Sequence, residues 1–555
     1  MPHLVLGPIL RYVDERVATV WVQTDTACEV EILGVRERTW CVAGLHFALV
    51  ALDGLTPGAD HPYEVRLDGE LAWPEQDAAF PPSTIRLLDP RAPREIAFGS
   101  CRTALPHEPP YALRASEHPK GQGIDALRAY ALRAARAGGG GGDGTSALPD
   151  MLLMLGDQIY ADQPSPALVQ ALADRESERP ADAPEDELAD FVDYALSYRE
   201  AWGEPAIRWL LSTVPTAMVF DDHEIHAEWR ISQGWLDEMN AEPWFDRHIR
   251  AGLAAYWVFQ HIGNLSPDEL AAGGLYDEVR AASDAAELLA ARMDTEGHQT
   301  GHSRWSFVRE LGDALLVVID SRAGRQVTPG RREMIPGEEW EWVAEQARRP
   351  VRHLLLASSV PFLLAPGLHH LEAADEALTE GTWGRVGEWL GERLRRLAVV
   401  DHWASFQRSF HRFAELIDDV AHGRAGDAPA SIVLLSGDVH HCYLAEVAFR
   451  PGSGAHSPVW QAVCSGLRKE LRPHERAVIA FGHLSFAGRA ARRLARALGV
   501  VGVPFGWRVV ERPAYANQIG TLTLDGEHSH VRVEAVVDDS WRDPRLQEAF
   551  ARTLA

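Results

Sequence analysis

Residues 151–162 read MLLMLGDQIYAD, and the rest of the chain is organised around them. The apolar run MLLML predicts a strand buried on both faces. Gly156 permits a sharp exit from it. Asp157 and Tyr160 follow three positions apart, so a helical turn would project both to one side. A carboxylate and a phenol would then converge beyond the C-terminal edge of a sheet, where open α/β folds place their sites. Both are hard oxygen donors suited to a divalent or trivalent metal. Alone, the stretch reads better as a buried strand followed by a surface turn.

Three further stretches end in the same way. REIAFGSCR (94–102) is a strand candidate running into Cys101 and Arg102. TAMVFDDHEIHAEW (216–229) runs into Asp222 and His223, and SIVLLSGDVHHCY (431–443) into Asp438 and His440. In DVH, positions i and i+2 of an extended segment face one way, which favours His440 over His441 as the partner of Asp438. Four such clusters suit a site along one edge of a sheet, rich enough in carboxylate, phenol, thiol and imidazole groups for two or more metals. ALLVVIDSR (314–322) and HLLLASSVPF (353–362) are further buried strands.

Before this region, residues 3–88 alternate in period two, with PILRYV, RVATVWVQ, CEVEIL, RTWCVA, HFALVAL and PYEVRL separated by turn dipeptides. No helical stretch interrupts them, so a small antiparallel β-sandwich is expected over 1–90, with DPRAP (89–93) as linker to a second domain over 91–555. GGGGGDG from Gly138 reads as a flexible surface loop. An acidic helical stretch, 174–193, and a tryptophan-bearing one, 228–257, read as lids or as packing helices. GTLTLDGEHSHVRVEAVV (520–537) is a hairpin with Asp525-Gly526 at its turn.

The 555 residues suffice for two domains and a large core, and 46% hydrophobic with 24% charged side chains is ordinary for a soluble globular protein. The formal charge of −26 argues against a nucleic-acid or anionic-membrane partner, while a local metal cluster could still admit an anionic substrate. Five cysteines, an odd number, form no disulfide framework. The opening MPHLVLGPILRYVDE has no basic n-region or small-residue cleavage site, and no stretch is long enough to span a bilayer, so a cytoplasmic location is expected.

FGSCR, GDQIYAD, FDDHE, IDSR and SGDVHHC, together with the leading sandwich and the late NQIGTLTLDG, resemble the alkaline phosphatase D (PhoD-like) family of metallophosphatases. The resemblance implies a four-layer αββα domain that hydrolyses phosphate esters. It implies ferric iron on Cys101, Asp157, Tyr160 and His440. Asp157 would bridge to calcium shared with Asp222 and Asp438, and His223 would be catalytic. Other divalent metals are admitted. Family members often carry Asn shortly after DDHE; here the chain continues Ile225-His226-Ala227-Glu228-Trp229, so either Glu228 supplies that oxygen or a second calcium is absent or held differently.

The chemistry of such a set is phosphomonoester or phosphodiester hydrolysis by a metal-bound hydroxide, with His223 protonating the leaving group. A small phosphate ester is the expected partner. Arg102 and Arg322 are candidate phosphate clamps, since a guanidinium fork fits phosphate oxygens; an ion pair with a nearby acid is the alternative for each. Trp305, Trp383, His402 and Trp403 line the pocket mouth or pack in the core. The rival overall reading is a non-catalytic metal- or phosphate-binding module of the same fold.

Overall fold

A computed structural model describes residues 1–76, 79–137, 148–298, 303–511, 513–537 and 540–555. The glycine run from Gly138 lies outside the described residues. Among them, no helix is long and apolar enough to cross a membrane.

The period-two segments at the start form two four-stranded antiparallel sheets. Alternation puts Val20, Val22, Val30, Ile32, Val50 and Val65 into the core between them. The opposite face of the first sheet is also apolar: Leu6, Ile9, Trp21 and Phe47 pack on the helical layer of the rest of the chain, with the Trp21 and Phe259 rings 5.3 Å apart. The sandwich is therefore anchored to that layer rather than tethered beside it.

Beyond it, two sheets face each other. The first has six strands in the order Thr216–Met218, Met151–Met154, Arg94–Gly99, Gln518–Asp525, His528–Val536, Leu546–Thr553. Its first three strands are parallel and the others join antiparallel, with the turn at Asp525-Gly526 closing the expected hairpin. The second has seven strands: Phe307–Leu311, Ala314–Ile319, His353–Ser358, Ser431–Ser436, Val459–Val463, Tyr443–Ala448 and Gly506–Val509.

Every residue of Met151–Met154 is buried, as a strand covered on both faces requires. Met151 and Leu153 meet Val318, Leu355 and Val433 of the opposing sheet. Leu152 and Met154 meet the helices Ala126–Arg136, Phe191–Trp202 and Pro205–Thr213. The second sheet turns Leu315, Val317, Leu354 and Leu434 outward against the helices Gly337–Ala347 and Gln407–Ala421. The result is a four-layer αββα arrangement. The 174–193 stretch is not the expected helix: residues 175–190 form turns and loop between the helices Pro166–Asp174 and Phe191–Trp202, and Asp193 is buried and held by Arg175 and Arg179. Trp229, Trp235 and Trp257 are likewise core residues.

Candidate metal centre

The site lies where the parallel strands of both sheets end. Strand Arg94–Gly99 delivers Cys101, Met151–Met154 delivers Asp157, and Thr216–Met218 delivers Asp221, Asp222 and His223 through a short 3-10 turn. These three strands are neighbours, so their donors fall side by side. Asp438 and His440 arrive from Ser431–Ser436 in the opposing sheet. One edge of one sheet was the expectation; instead the site straddles two sheets, because the C-terminal ends of both open into the same crevice.

Three donor groups form here: Cys101, Asp157 and His440; Asp157, Asp222 and His223; and Asp221, Asp222 and Asp438, with the atoms of each group within 4.8 Å of one another. Asp157 is common to the first two groups and Asp222 to the last two. Tyr160 joins the first through its hydroxyl, which donates to Asp157 Oδ2 at 3.2 Å. His441, the rival of His440, is buried elsewhere, with Nδ1 against the Val439 carbonyl at 2.7 Å.

The local geometry differs from the expected one. Asp157 and Tyr160 do not sit on a helical turn, and residues 438–440 are not extended. Cys101, Asp157, Asp438 and His440 have φ of 58°, 52°, 66° and 51°, all left-handed. Such a backbone costs a non-glycine residue about 1–2 kcal/mol, and here it bends each chain sharply so that its side chain meets the others. Asp438 and His440 thus reach the donor groups through left-handed bends rather than through parity along a strand. The bends are pinned by hydroxyls: Ser100 Oγ accepts from Asp438 N at 2.9 Å, and Ser465 Oγ accepts from His440 N at 3.1 Å and lies 3.2 Å from Cys101 Sγ.

At Gly156, φ is +101°, and an added Cβ would fall 2.5 Å from Asp221 Cβ. Gly156→Ala should therefore cost on the order of 3 kcal/mol of stability, read as a lower urea midpoint with unchanged slope.

Two carboxylates that looked incidental hold the site. Glu224 accepts the backbone N–H groups of Gln158 (2.7 Å), Asp221 (2.9 Å) and Asp157 (3.3 Å), tying two strand ends together. Asp162, the last residue of the opening stretch, sits 2.7 Å from His223 Nδ1 and also accepts Ala227 N–H at 3.1 Å. Asp162 is the carboxylate that orients His223. His402, one of the residues expected at the pocket mouth, lines the cavity and bridges Glu372 (2.8 Å) and Asp438 (3.2 Å), a contact the sequence did not reveal. Trp305 and Trp403 are core residues; Trp383 is exposed.

Three expected roles are corrected. Arg322 is not presented as a phosphate clamp: it is 1% exposed, its Nε is 2.5 Å from Asp221, and its other nitrogens bind Asp401 and Asp438. Its charge is spent holding ligand carboxylates. Arg102 is equally committed, to Asp125 at 2.9 Å and to the Ala201 carbonyl at 2.6 Å. Glu228 belongs to none of the three donor groups. Its contribution is the backbone N–H, which donates to Asp222 Oδ2 at 2.8 Å, and the residue lines the adjoining cavity. The additional acid beside Asp222 and Asp438 is Asp221.

The electrostatics fit a cation. Buried Asp157 Oδ1 and Asp221 Oδ2 have no hydrogen-bond partner. Burial, with the nearby Asp222 and Asp438 charges, pushes the Asp157 carboxyl up to about 6 despite His223. Burial, reinforced by Asp157, raises the Cys101 thiol and Tyr160 phenol well above their usual ranges, so both need a cation to ionise. Burial and the Lys469 charge bring His440 down to about 3, leaving the neutral imidazole that a metal requires. Burial would lower His223 too, but Asp162, Asp222 and Asp157 outweigh it and push it up to about 10.

The family model for PhoD-like phosphatase matches residues 143–480, and one for a domain of unknown function, DUF7800, matches residues 1–85. No curated protein matches the chain. Among solved structures, "Structure of PhoD" is 13% identical with a TM-score of 0.58, covering 99% of this chain and 92% of that one, which shows the shared fold. A purple acid phosphatase, PPD1, from yellow lupin (Lupinus luteus) seeds is 9% identical with a TM-score of 0.44, covering 100% and 73% respectively. With two facing sheets, a carboxylate-rich centre at their common edge and a family match over most of its length, this chain belongs to the PhoD-like phosphatase family and is a phosphoric ester hydrolase.

Proposed function

We propose that the chain hydrolyses phosphomonoesters or phosphodiesters at a metal cluster built on Asp157, with His223 as proton donor to the leaving group. Cys101, Asp157, Tyr160 and His440 would hold ferric iron, and Asp157, Asp222 and Asp438 calcium. Thiolate, phenolate and imidazole in the first set and carboxylates alone in the second suit those two ions. When bound, the metals supply positive charge for the nonbridging phosphate oxygens and acidify the attacking water.

The protein's own part follows from its hydrogen bonds. Arg322 and His402 fix Asp438, and the Glu228 N–H fixes Asp222, so the carboxylates do not swing when substrate arrives. As the new bond to phosphorus forms from water, the bond to the leaving oxygen breaks and that oxygen keeps the electron pair. His223, held protonated by Asp162, then supplies its proton. The single observation that carries this reading is Asp157, common to two donor groups and with one buried oxygen unpartnered.

Metal analysis and absorption spectroscopy on protein purified without chelators test it. A visible charge-transfer band from ferric tyrosinate or thiolate should appear, and Tyr160→Phe should shift or abolish it while lowering turnover of an aryl phosphate. Colourless protein containing only zinc or magnesium would remove the iron assignment. Metal-loaded protein without turnover would favour the non-catalytic binding module.

A further inference from the structure

The crevice holding the donor groups continues into a cavity of about 1050 Å³. Asp157, Asp222, His223, Asp438 and His440 line one end of it. The remainder runs between four helices, Pro366–Thr379, Gly384–Ala398, Pro473–Gly482 and Ser485–Ala497, and is walled by aliphatic side chains such as Leu364, Leu368, Leu378, Val400, Ile479 and Leu498. Pockets for drug-sized ligands span roughly 300–1000 Å³, so this space far exceeds what a phosphoryl group fills.

The mouth is apolar as well. Trp383 is 59% exposed, Val478 60% and Leu494 44%, and all three line the cavity. Among the described residues, the large apolar side chains that stand exposed are Met1, Leu33, Leu71 and otherwise only residues between Leu371 and Val501. Exposed apolar surface so confined marks a binding surface. The cavity lining thus runs without a break from the carboxylate cluster to an aliphatic wall.

Resting on the phosphoesterase reading above, we propose that the substrate is an amphiphile whose phosphate ester carries a long alkyl or acyl chain. The phosphate lies among the donor groups and the chain lies between the four helices. Each methylene moved from water to this wall gains about 0.8 kcal/mol, about fourfold in affinity. Preference should therefore climb steeply with chain length and level off once the cavity is filled.

The test uses the full-length, metal-loaded protein and two probe series with chains of two to fourteen carbons, each below its micelle concentration. Calorimetry measures binding of alkylphosphonates, and nitrophenolate release measures kcat/KM for p-nitrophenyl alkyl phosphates. Both should rise about fourfold per methylene before levelling. Leu394→Glu and Val478→Glu, at exposed positions on the cavity wall, should flatten both slopes and leave the ethyl ester within twofold of wild type. Turnover of the ethyl ester with flat chain dependence overturns the inference and leaves the phosphoesterase reading standing. Chain-dependent binding without turnover of any ester sustains the cavity assignment and overturns the hydrolase reading. A solution dimer broken by Val478→Glu, with flat chain dependence, overturns it in favour of a second copy covering the helices.

Discussion

Asp157→Asn should lower kcat/KM on any ester by on the order of 10³-fold or more, deplete the protein of metal, and yet raise the melting temperature of the chelator-treated protein. The three effects have one source. Asp157 serves two donor groups, so its loss weakens both, and loss of a single preorganised electrostatic partner already costs about 10²–10³-fold elsewhere. Without metal, the same carboxylate is a liability: buried, beside Asp222 and Asp438, with Oδ1 unpartnered. Asn keeps the shape and tolerates the left-handed backbone at φ 52°.

The pH dependence gives a further check on sign. The folded-state value of about 6 lies above the usual carboxylate value, so the metal-free fold binds a proton that the unfolded chain releases. Folding is therefore unpenalised by this group below about pH 4, and the penalty, on the order of 3 kcal/mol, is complete above about pH 6. The stability gap between Asp157→Asn and wild type should open across that window in chelator. A gap of constant size, or a variant that melts lower at pH 8, would refute the account.

His223→Ala should cost about 10²–10⁴-fold on an alkyl ester and much less on a p-nitrophenyl ester. An alkoxide is a poor leaving group and needs the proton; nitrophenolate does not. The dependence of log kcat on leaving-group pKa should steepen accordingly, and an equal loss on both esters would assign His223 to metal binding instead. Asp162→Asn supplies the pH signature. Asp162 raises the imidazole's proton affinity, and the acid is active only while protonated. Activity is lost as pH rises through the His223 value, so removing the Asp162 charge must move the basic limb of the pH–rate profile downward. KM for a short ester should barely change, because Asp162 touches the ring and the Ala227 N–H rather than the crevice floor.

Much of this architecture can be read in the amino-acid order, because buried parallel strands are written as unbroken apolar runs and the donors follow them directly. MLLM, ALLVVI, HLLLAS and SIVLLS are strands buried along their whole lengths. What resisted reading was the backbone at the strand ends. Asp438 and His440 meet their partners through left-handed bends, a conformation that glycine signals in a sequence far more strongly than Asp or His does. Asp162 and Asp221 were visible within quoted stretches, yet an acid beside a likelier ligand has no local mark of its role. Arg322 misled for the converse reason: a guanidinium after IDS looks available until Asp221, Asp401 and Asp438, from distant chain positions, are seen to enclose it.

The strand Arg94–Gly99 lies between Met151–Met154 and Gln518–Asp525, so the piece that delivers Cys101 gains its second neighbour only from the far end of the chain. During synthesis, Cys101, Asp157 and Asp222 leave the ribosome long before Asp438 and His440 exist, and longer still before Leu524 pairs with Arg94. An emerging chain can therefore offer a metal only an incomplete, solvent-open set of donors. Loading belongs to the finished polypeptide, and a stalled or clipped product should be recovered metal-free with one sheet edge bare and prone to self-association.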